Sequence, residues 1–300
     1  VPTLLPPDEL LRRLDLAVSR RMSGMASGDA PAIGTQGGME LERIRAWTPG
    51  DDWRMLDAAA TARTGTPHVK VPVAERRLTV WLGIDVSSSM AFGTQHLEKF
   101  ELARAAAATF GLLGLRQSAQ VGGLALGDGS EAPQPPRAGR AQLLSLLERI
   151  DVRRDDFPGD FVAALTRLER CGRDRCFVVV VSDFRDPDTA SWQAPLARLA
   201  LRHELVCVEV RDRREDELPD VGVTRFVDPE TGRTYTVDTS SASLRDRFAE
   251  RAAQRRAAVA DAVASTGADL LSVSTGSDWF ESLMLHIDRR RRRRWVSAAR

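Results

Sequence analysis

Asp85, Ser87 and Ser89 occupy alternate positions directly after Leu78-Thr-Val-Trp-Leu-Gly-Ile84, an apolar run rich in β-formers. Such a run reads as a buried strand. Side chains alternate in extended backbone, so one carboxylate and two hydroxyls can face the same side of the loop that leaves this strand. These are hard oxygen donors of the kind that hold Mg²⁺ or Mn²⁺. Few ligands come from the chain, which suits Mg²⁺: it keeps bound waters and leaves a position open for an incoming carboxylate. The alternative for the same residues is a Ser/Asp cluster that caps the following helix.

A second run, Phe177-Val-Val-Val-Val-Ser-Asp183, also ends in a carboxylate. Open α/β sheets bind ligands at the carboxyl edge of their strands, which puts Asp85 and Asp183 on one rim. Asp183 can instead cap the turn that follows, Asp-Phe-Arg-Asp-Pro. A third acid, Asp160, stands between Pro158-Gly159 and the helical pattern Phe161–Arg170. That is the position of the N-cap of the helix.

The elements that position these residues alternate along the chain. Pro7 to about Met25 patterns as an amphipathic helix, with Leu10, Leu11, Leu14, Leu16 and Val18 against Arg12, Arg13, Asp15 and Arg20. Ser23–Gly38 is rich in Gly, Ala and Ser and reads as a loop. Pro67–Ala74 and Leu78–Asp85 flank Glu75-Arg-Arg77, which predicts a hairpin feeding the central sheet. Further strands are expected at Ala119–Leu126, Cys176–Ser182, Glu204–Val210 and Ala268–Ser274, with a strand pair around Val223–Val237. Helices are expected at Leu97–Leu115, Ala141–Ile150, Phe161–Arg170, Ser191–His203, Ser243–Thr266 and from Ser277. This alternation predicts an α/β fold with a doubly wound, largely parallel, Rossmann-like sheet. No G-x-G-x-x-G or P-loop follows any strand, so the phosphate cradle of a nucleotide-binding fold is missing.

Composition sets bounds on what this chain does. Its 300 residues suit an N-terminal extension over 1–75 with a helix and a β-hairpin, a principal domain over 76–288, and an Arg-rich tail over 289–300. A net charge of +1 excludes strong global steering toward nucleic acid or anionic lipid. The six arginines Arg289–Arg294 read as a solvated tail, attracted to anionic surfaces only non-specifically and in a salt-sensitive way. Lysine occurs only at Lys70 and Lys99, which reads as nucleotide composition of the source rather than as function. Cys171, Cys176 and Cys207 match no zinc spacing and read as buried free thiols in a reducing cytoplasm. The first residues lack a basic stretch and a long apolar core, and no window approaches the roughly 20 apolar residues of a membrane helix. The expected location is cytoplasmic. No general base or nucleophile sits in a usable arrangement, so an enzyme is not expected.

Gly83-Ile-Asp-Val-Ser-Ser-Ser-Met90, opening a helix after a hydrophobic strand, resembles the first strand and metal loop of von Willebrand factor A domains. In that family a Thr from a second loop and an Asp after a later strand complete a metal-dependent adhesion site. The resemblance implies Asp85, Ser87, Ser89 and Asp183 as ligands; at the usual Thr position stands Gly159, beside which Asp160 either joins the ligands, directly or through a water, or serves only as the helix N-cap, the reading its position favours. A second resemblance lies in Glu40-Leu-Glu-Arg-Ile-Arg-Ala-Trp47-Thr-Pro49-Gly50-Asp51-Asp52-Trp53-Arg54-Met-Leu-Asp57 and the Ala62-Arg63 that follows. It is similar to the signature of a bacterial domain-of-unknown-function family, number fifty-eight, whose members are typically encoded beside MoxR-type AAA+ ATPases. Lys99-Phe-Glu-Leu-Ala103, Asp228-Pro-Glu-Thr-Gly232 and Ser274-Thr-Gly-Ser-Asp-Trp279 extend the match. Two departures are Trp47 for the usual Tyr and Ala58 for the usual Trp. Asp51, Asp52 and Asp57 lie among Arg43, Arg45, Arg54 and Arg63, either as an internal ion-pair network or as a partner surface.

The resemblance implies a non-enzymatic interaction module that binds Mg²⁺ or Mn²⁺ and serves as adaptor for a MoxR-type ATPase in assembling or maturing client protein complexes. The competing expectations are a metal-free scaffold with a degenerate adhesion site, to which Gly159 lends weight, and a metal-dependent hydrolase.

Overall fold

Pro7 opens the first helix, α1 (Pro7–Ser23), at the position where a missing N–H costs nothing. Asp8 and Glu9 in its first turn and Arg20 and Arg21 in its last complement the helix dipole. Leu10, Leu11, Leu14 and Val18 form the buried stripe, whereas Leu16 falls outside it and is 53% exposed. The computed structural model describes residues 5–23, 33, 43–71, 78–94, 97–127, 132–150, 160–172, 174–185, 188–227 and 233–298. Most of the loop expected over Ser23–Gly38 lies outside the described residues. Two units divide the chain: Thr35–Leu78, and Val1–Gly34 together with Thr79–Arg300. The expected extension therefore splits, because the apolar stripe of α1 packs within the larger unit, on a helix described below.

In the smaller unit, β1 (Arg43–Ala46) pairs antiparallel with β2 (His68–Val71). Between them come a 3₁₀ turn, Trp53–Met55, and α2 (Ala58–Thr64), which ends on Gly65 at a left-handed φ of 73°. The acids of the Pro-Gly-Asp-Asp stretch are engaged internally. Asp51 takes two 2.6 Å hydrogen bonds from the Arg45 guanidinium, and these hold its carboxyl well below the usual carboxylate range. Asp52 caps the 3₁₀ turn and Asp57 caps α2, accepting from Ala60 N at 2.7 Å. The hairpin expected between Pro67–Ala74 and Leu78–Asp85 is corrected here. Both edges of β2 are taken within this unit, one by β1 and one by a bridge from Leu56 to Val69, and residues 72–77 lie outside the described ones.

In the larger unit the chain runs β3 (Thr79–Asp85), α3 (Lys99–Arg116), β4 (Gln120–Leu126), β5 (Gln134–Arg137), α4 (Arg140–Ile150), α5 (Phe161–Cys171), β6 (Phe177–Ser182), α6 (Thr189–Arg202), β7 (Glu204–Arg211), α7 (Arg213–Asp216), β8 (Val223–Val227), β9 (Thr234–Asp238), α8 (Ala242–Ser265), β10 (Asp269–Ser274) and α9 (Trp279–Ala298). Six strands form a mixed, mostly parallel sheet in the order β10-β7-β6-β3-β4-β5. Only β5 is antiparallel to its neighbour, and Pro135 and Pro136 explain its place at the edge, where a missing donor is tolerated. This strand falls in the Gly127–Gly139 stretch, where the sequence shows no β-pattern. The expected strand pair near Val223 forms as β8 against β9.

Helices cover both faces. Leu165, Leu168, Trp192, Leu196, Leu199, Val259 and Val263 from α5, α6 and α8 pack on Trp81, Val178, Val180 and Cys207. The alternate residues, Val80 and Phe177 among them, face the opposite side, where Phe110 of α3 meets the Phe177 ring at a centroid distance of 6.0 Å. There α1 packs on α3 and α4. Cys176 and Cys207 are buried free thiols, and burial raises both thiol pKa values.

The Arg run is not a separate tail: α9 continues through it to Ala298. Arg290, on the buried side of α9, has 11% of its side chain exposed and lies 3.2 Å from Asp269 and 3.7 Å from Glu204. Its guanidinium stands 5.0 Å above the Phe177 ring. It thus joins the starts of β6, β7 and β10. Arg290→Ala leaves Glu204 buried without this cation and is expected to cost about 2–3 kcal/mol in urea unfolding. A loss within the error of the measurement would return the run to the status of a solvated tail.

Candidate functional site

The first strand of the large sheet lies in its interior. From β3 the chain builds outward through β4 and β5, then crosses to β6 and continues through β7 and β10. The order therefore reverses between β3 and β6, and ligands of such sheets bind at the carboxyl ends of the two strands flanking that point. Asp85 is the last residue of β3, and Ser182 the last of β6. Parallel pairing of Ile84 with Val181 sets these ends side by side.

Asp85 is 3% exposed. One of its oxygens accepts from Ser182 Oγ, the other from Ser87 N at 2.8 Å. Burial pushes its pKa up to about 6, the neighbouring Asp183 carboxylate adds to the rise, and the Ser182 and Ser87 hydrogen bonds restrain it. Ser87 Oγ and Ser89 Oγ lie 3.2 Å apart in the short 3₁₀ turn that follows, with Ser89 buried and Ser87 half-buried. Asp183 is buried beside them. The next residue, Phe184, adopts a left-handed φ of 49°, unusual for a bulky side chain. Its N–H bonds to Ser182 Oγ, and its ring is buried against Phe161 and Trp192. That packing fixes the turn carrying Asp183.

Positive charge reaches the rim from α3. Lys99 is fully buried and donates from Nζ to Asp183 Oδ2 at 2.6 Å and to Glu215 Oε1 at 2.7 Å. Arg185 also donates to Glu215. One turn away, the buried Asp212 accepts from Thr94 N and Oγ1, from Thr275 Oγ1 and from Arg214 N. Burial alone would raise the Asp212 pKa, but these hydrogen bonds outweigh it and the net shift is downward. The loops after β3, β7 and β10 are thereby tied at one carboxylate, and those after β3, β6 and β7 at one ammonium.

The structure brings together four of the five residues expected from the sequence: Asp85, Ser87, Ser89 and Asp183. Asp160 is exposed and caps α5, accepting from Ala163 N at 2.8 Å. Pro158 and Gly159 lie outside the described residues. Among the described residues no three His, Cys, Asp or Glu side chains gather as a metal-binding group. A cation here would therefore rest on two carboxylates and two hydroxyls. The donor chemistry fits a hard divalent ion: all donors are oxygen, and Asp85 is a buried carboxylate with no cationic partner among the described residues. Asp183, by contrast, is already compensated by Lys99.

The family model described as "Protein of unknown function DUF58" matches residues 43–258. The chain belongs to this family. The uncharacterized proteins Rv1480 of Mycobacterium tuberculosis and Mb1516 of Mycobacterium bovis are each 38% identical over 287 residues, 94% of this chain and 89% of theirs. Among solved structures, the hypothetical protein BatB of Bacteroides thetaiotaomicron aligns over 71% of this chain and 96% of its own at 14% identity, with a TM-score of 0.44.

In this DUF58 chain the members of the rim network that the sequence left unassigned include Lys99, Asp212 and Glu215. The signal for Lys99 was its residue type. Where arginine supplies nearly every cation, a lysine marks a place for a compact point charge instead of a planar fork. Composition of the source does not account for a lysine held by two carboxylates.

Asp85 titrates higher in the folded chain than in the unfolded one, so the native state holds more protons between about pH 4 and 6. Stability from this group is present below that window and lost as the pH rises through it. In EDTA at neutral pH, Asp85→Asn is expected to be more stable than the parent by about 1–3 kcal/mol. The gap should close as the pH falls below 4, as followed by urea unfolding at several pH values; a gap independent of pH would contradict the assignment.

Proposed function

We propose that the carboxyl rim of this sheet is the interaction surface of a non-enzymatic, von Willebrand factor A-like module. By the resemblance of its sequence, the module acts as adaptor for a MoxR-type AAA+ ATPase in assembling or maturing other protein complexes. Asp85, Ser87 and Ser89, with Asp183 beside them, would hold Mg²⁺ or Mn²⁺. When bound, such an ion supplies exposed positive charge to which a partner's carboxylate can bind. The observation that carries this reading is the buried Asp85 at the reversal of strand order, without a cationic partner among the described residues, next to the half-buried Ser87 hydroxyl and the buried Ser89 hydroxyl. Ser182 and the Ser87 amide orient the Asp85 carboxylate, and the buried Phe184 ring orients the turn bearing Asp183.

One observation favours a second reading, a scaffold that binds partners without metal. Asp183 already has a cation of its own in Lys99. Calorimetric titration separates the two: the metal reading expects Mg²⁺ binding in the parent and its loss in Asp85→Ala. Capture of a MoxR-type ATPase should then fail in EDTA and weaken in Ser87→Ala at constant salt. Capture indifferent to both changes would leave the scaffold reading in place. Metal-dependent phosphatase or nuclease turnover that disappears in Asp85→Ala would instead favour a hydrolase.

A further inference from the structure

Lys99 is placed against the electrostatics of its own helix. It is the first residue of α3, where the helix dipole disfavours a cation, and it is fully buried, where an unpaired ammonium is costly. Two carboxylates from different strand ends overcome both penalties: Asp183 follows β6, and Glu215 lies in α7 beyond β7. The Phe92 ring, 5.9 Å from Nζ, closes another side. Glu215 in turn takes a second cation from Arg185. The result is unequal charge compensation across the rim. Asp183 is ion-paired with the Lys99 side chain, and Asp85 has no cationic partner among the described residues.

We propose that Lys99 is a built-in competitor for the divalent ion, holding Asp183 in the metal-free protein and setting the affinity of the rim. This rests on the reading of Asp85, Ser87, Ser89 and Asp183 as a cation site. An ion at Asp85 and the two serines meets the Lys99 charge through Asp183, which must be shared or released before it can contribute. The rim therefore stays folded and ion-paired without metal, and partner contact is coupled to a weakly held ion.

Mg²⁺ and Mn²⁺ titrations by calorimetry test this on the parent chain, Lys99→Met and the double variant Lys99→Met with Glu215→Gln. The double variant removes one buried charge of each sign and so keeps the network's net charge. Each is first checked for a cooperative thermal melt. Folded Lys99→Met should bind Mg²⁺ at least about tenfold more tightly than the parent, since one positive unit charge a few ångströms away is removed. The folded double variant should also bind more tightly than the parent, by less, because the more distant Glu215 charge is lost with it. Adding Asp183→Asn should abolish that gain. Equal or weaker affinity in the folded variants overturns the role of Lys99, whether or not the parent binds. The parent titration alone decides the cation-site reading, so the two can fail separately: an unloaded parent with loaded variants keeps the competitor and rejects a metal-bound native rim.

A second measurement uses the unsubstituted chain. With only Lys70 and Lys99 present, ¹³Cε-lysine labelling gives two signals. Saturating Mg²⁺ should move the Lys99 signal and leave Lys70 in place. An unmoved Lys99 signal in a protein shown to bind Mg²⁺ would also overturn the proposal.

Discussion

Two carboxylates set beside each other at buried strand ends demand positive charge, and that demand organises the carboxyl edge of this molecule. It follows from the pairing of β3 with β6, which juxtaposes Asp85 with Ser182 and Asp183. Burial, with the neighbouring Asp183 carboxylate adding to it, raises the Asp85 pKa to about 6. The chain answers for Asp183 with Lys99, and that ammonium in turn requires Glu215. Glu215 is held in place by a short helix that Asp212 caps, and Asp212 reaches back to Thr94 and across to Thr275. One electrostatic constraint thus links segments that follow four different strands, β3, β6, β7 and β10.

The rest of the fold serves to keep that edge in place. Helices on both faces bury β3, β6 and β7 completely apart from their ends, so the register that aligns Asp85 with Ser182 is pinned by apolar packing. At the opposite edge, Arg290 of α9 joins the starts of β6, β7 and β10 through Phe177, Glu204 and Asp269. Ion pairing near both ends of the strands leaves the middle of β3 and β6 to apolar residues, whereas β7 keeps the buried Glu209, which accepts from Ser272 of β10 at 2.6 Å.

Much of this was legible in the sequence because long apolar runs and helical periodicities are local signals. The strands ending at Asp85 and Ser182, the long helix near Ala242–Ser265 and the α/β alternation all follow from such patterns. The cap at Asp160 was legible for the same reason. The partner of β2 was not, since strand pairing depends on which edge is free in space. Nor was β5, whose two prolines disguise an edge strand. The Arg run read as a tail because composition does not reveal that one of its members, Arg290, faces a ring and two carboxylates. Lys99 and Glu215 stand 116 residues apart, a separation across which no local pattern operates.

The central claim is that the Asp85 charge, left without a cationic partner among the described residues, makes this rim a place for a divalent ion. Crystals grown with Mn²⁺ test it most directly, because the anomalous signal of the metal locates it without reference to any assumed ligand. The account predicts a peak beside Asp85, within coordination distance of the Ser87 and Ser89 hydroxyls. An anomalous map with no peak there, or with manganese bound only elsewhere on the molecule, would contradict it.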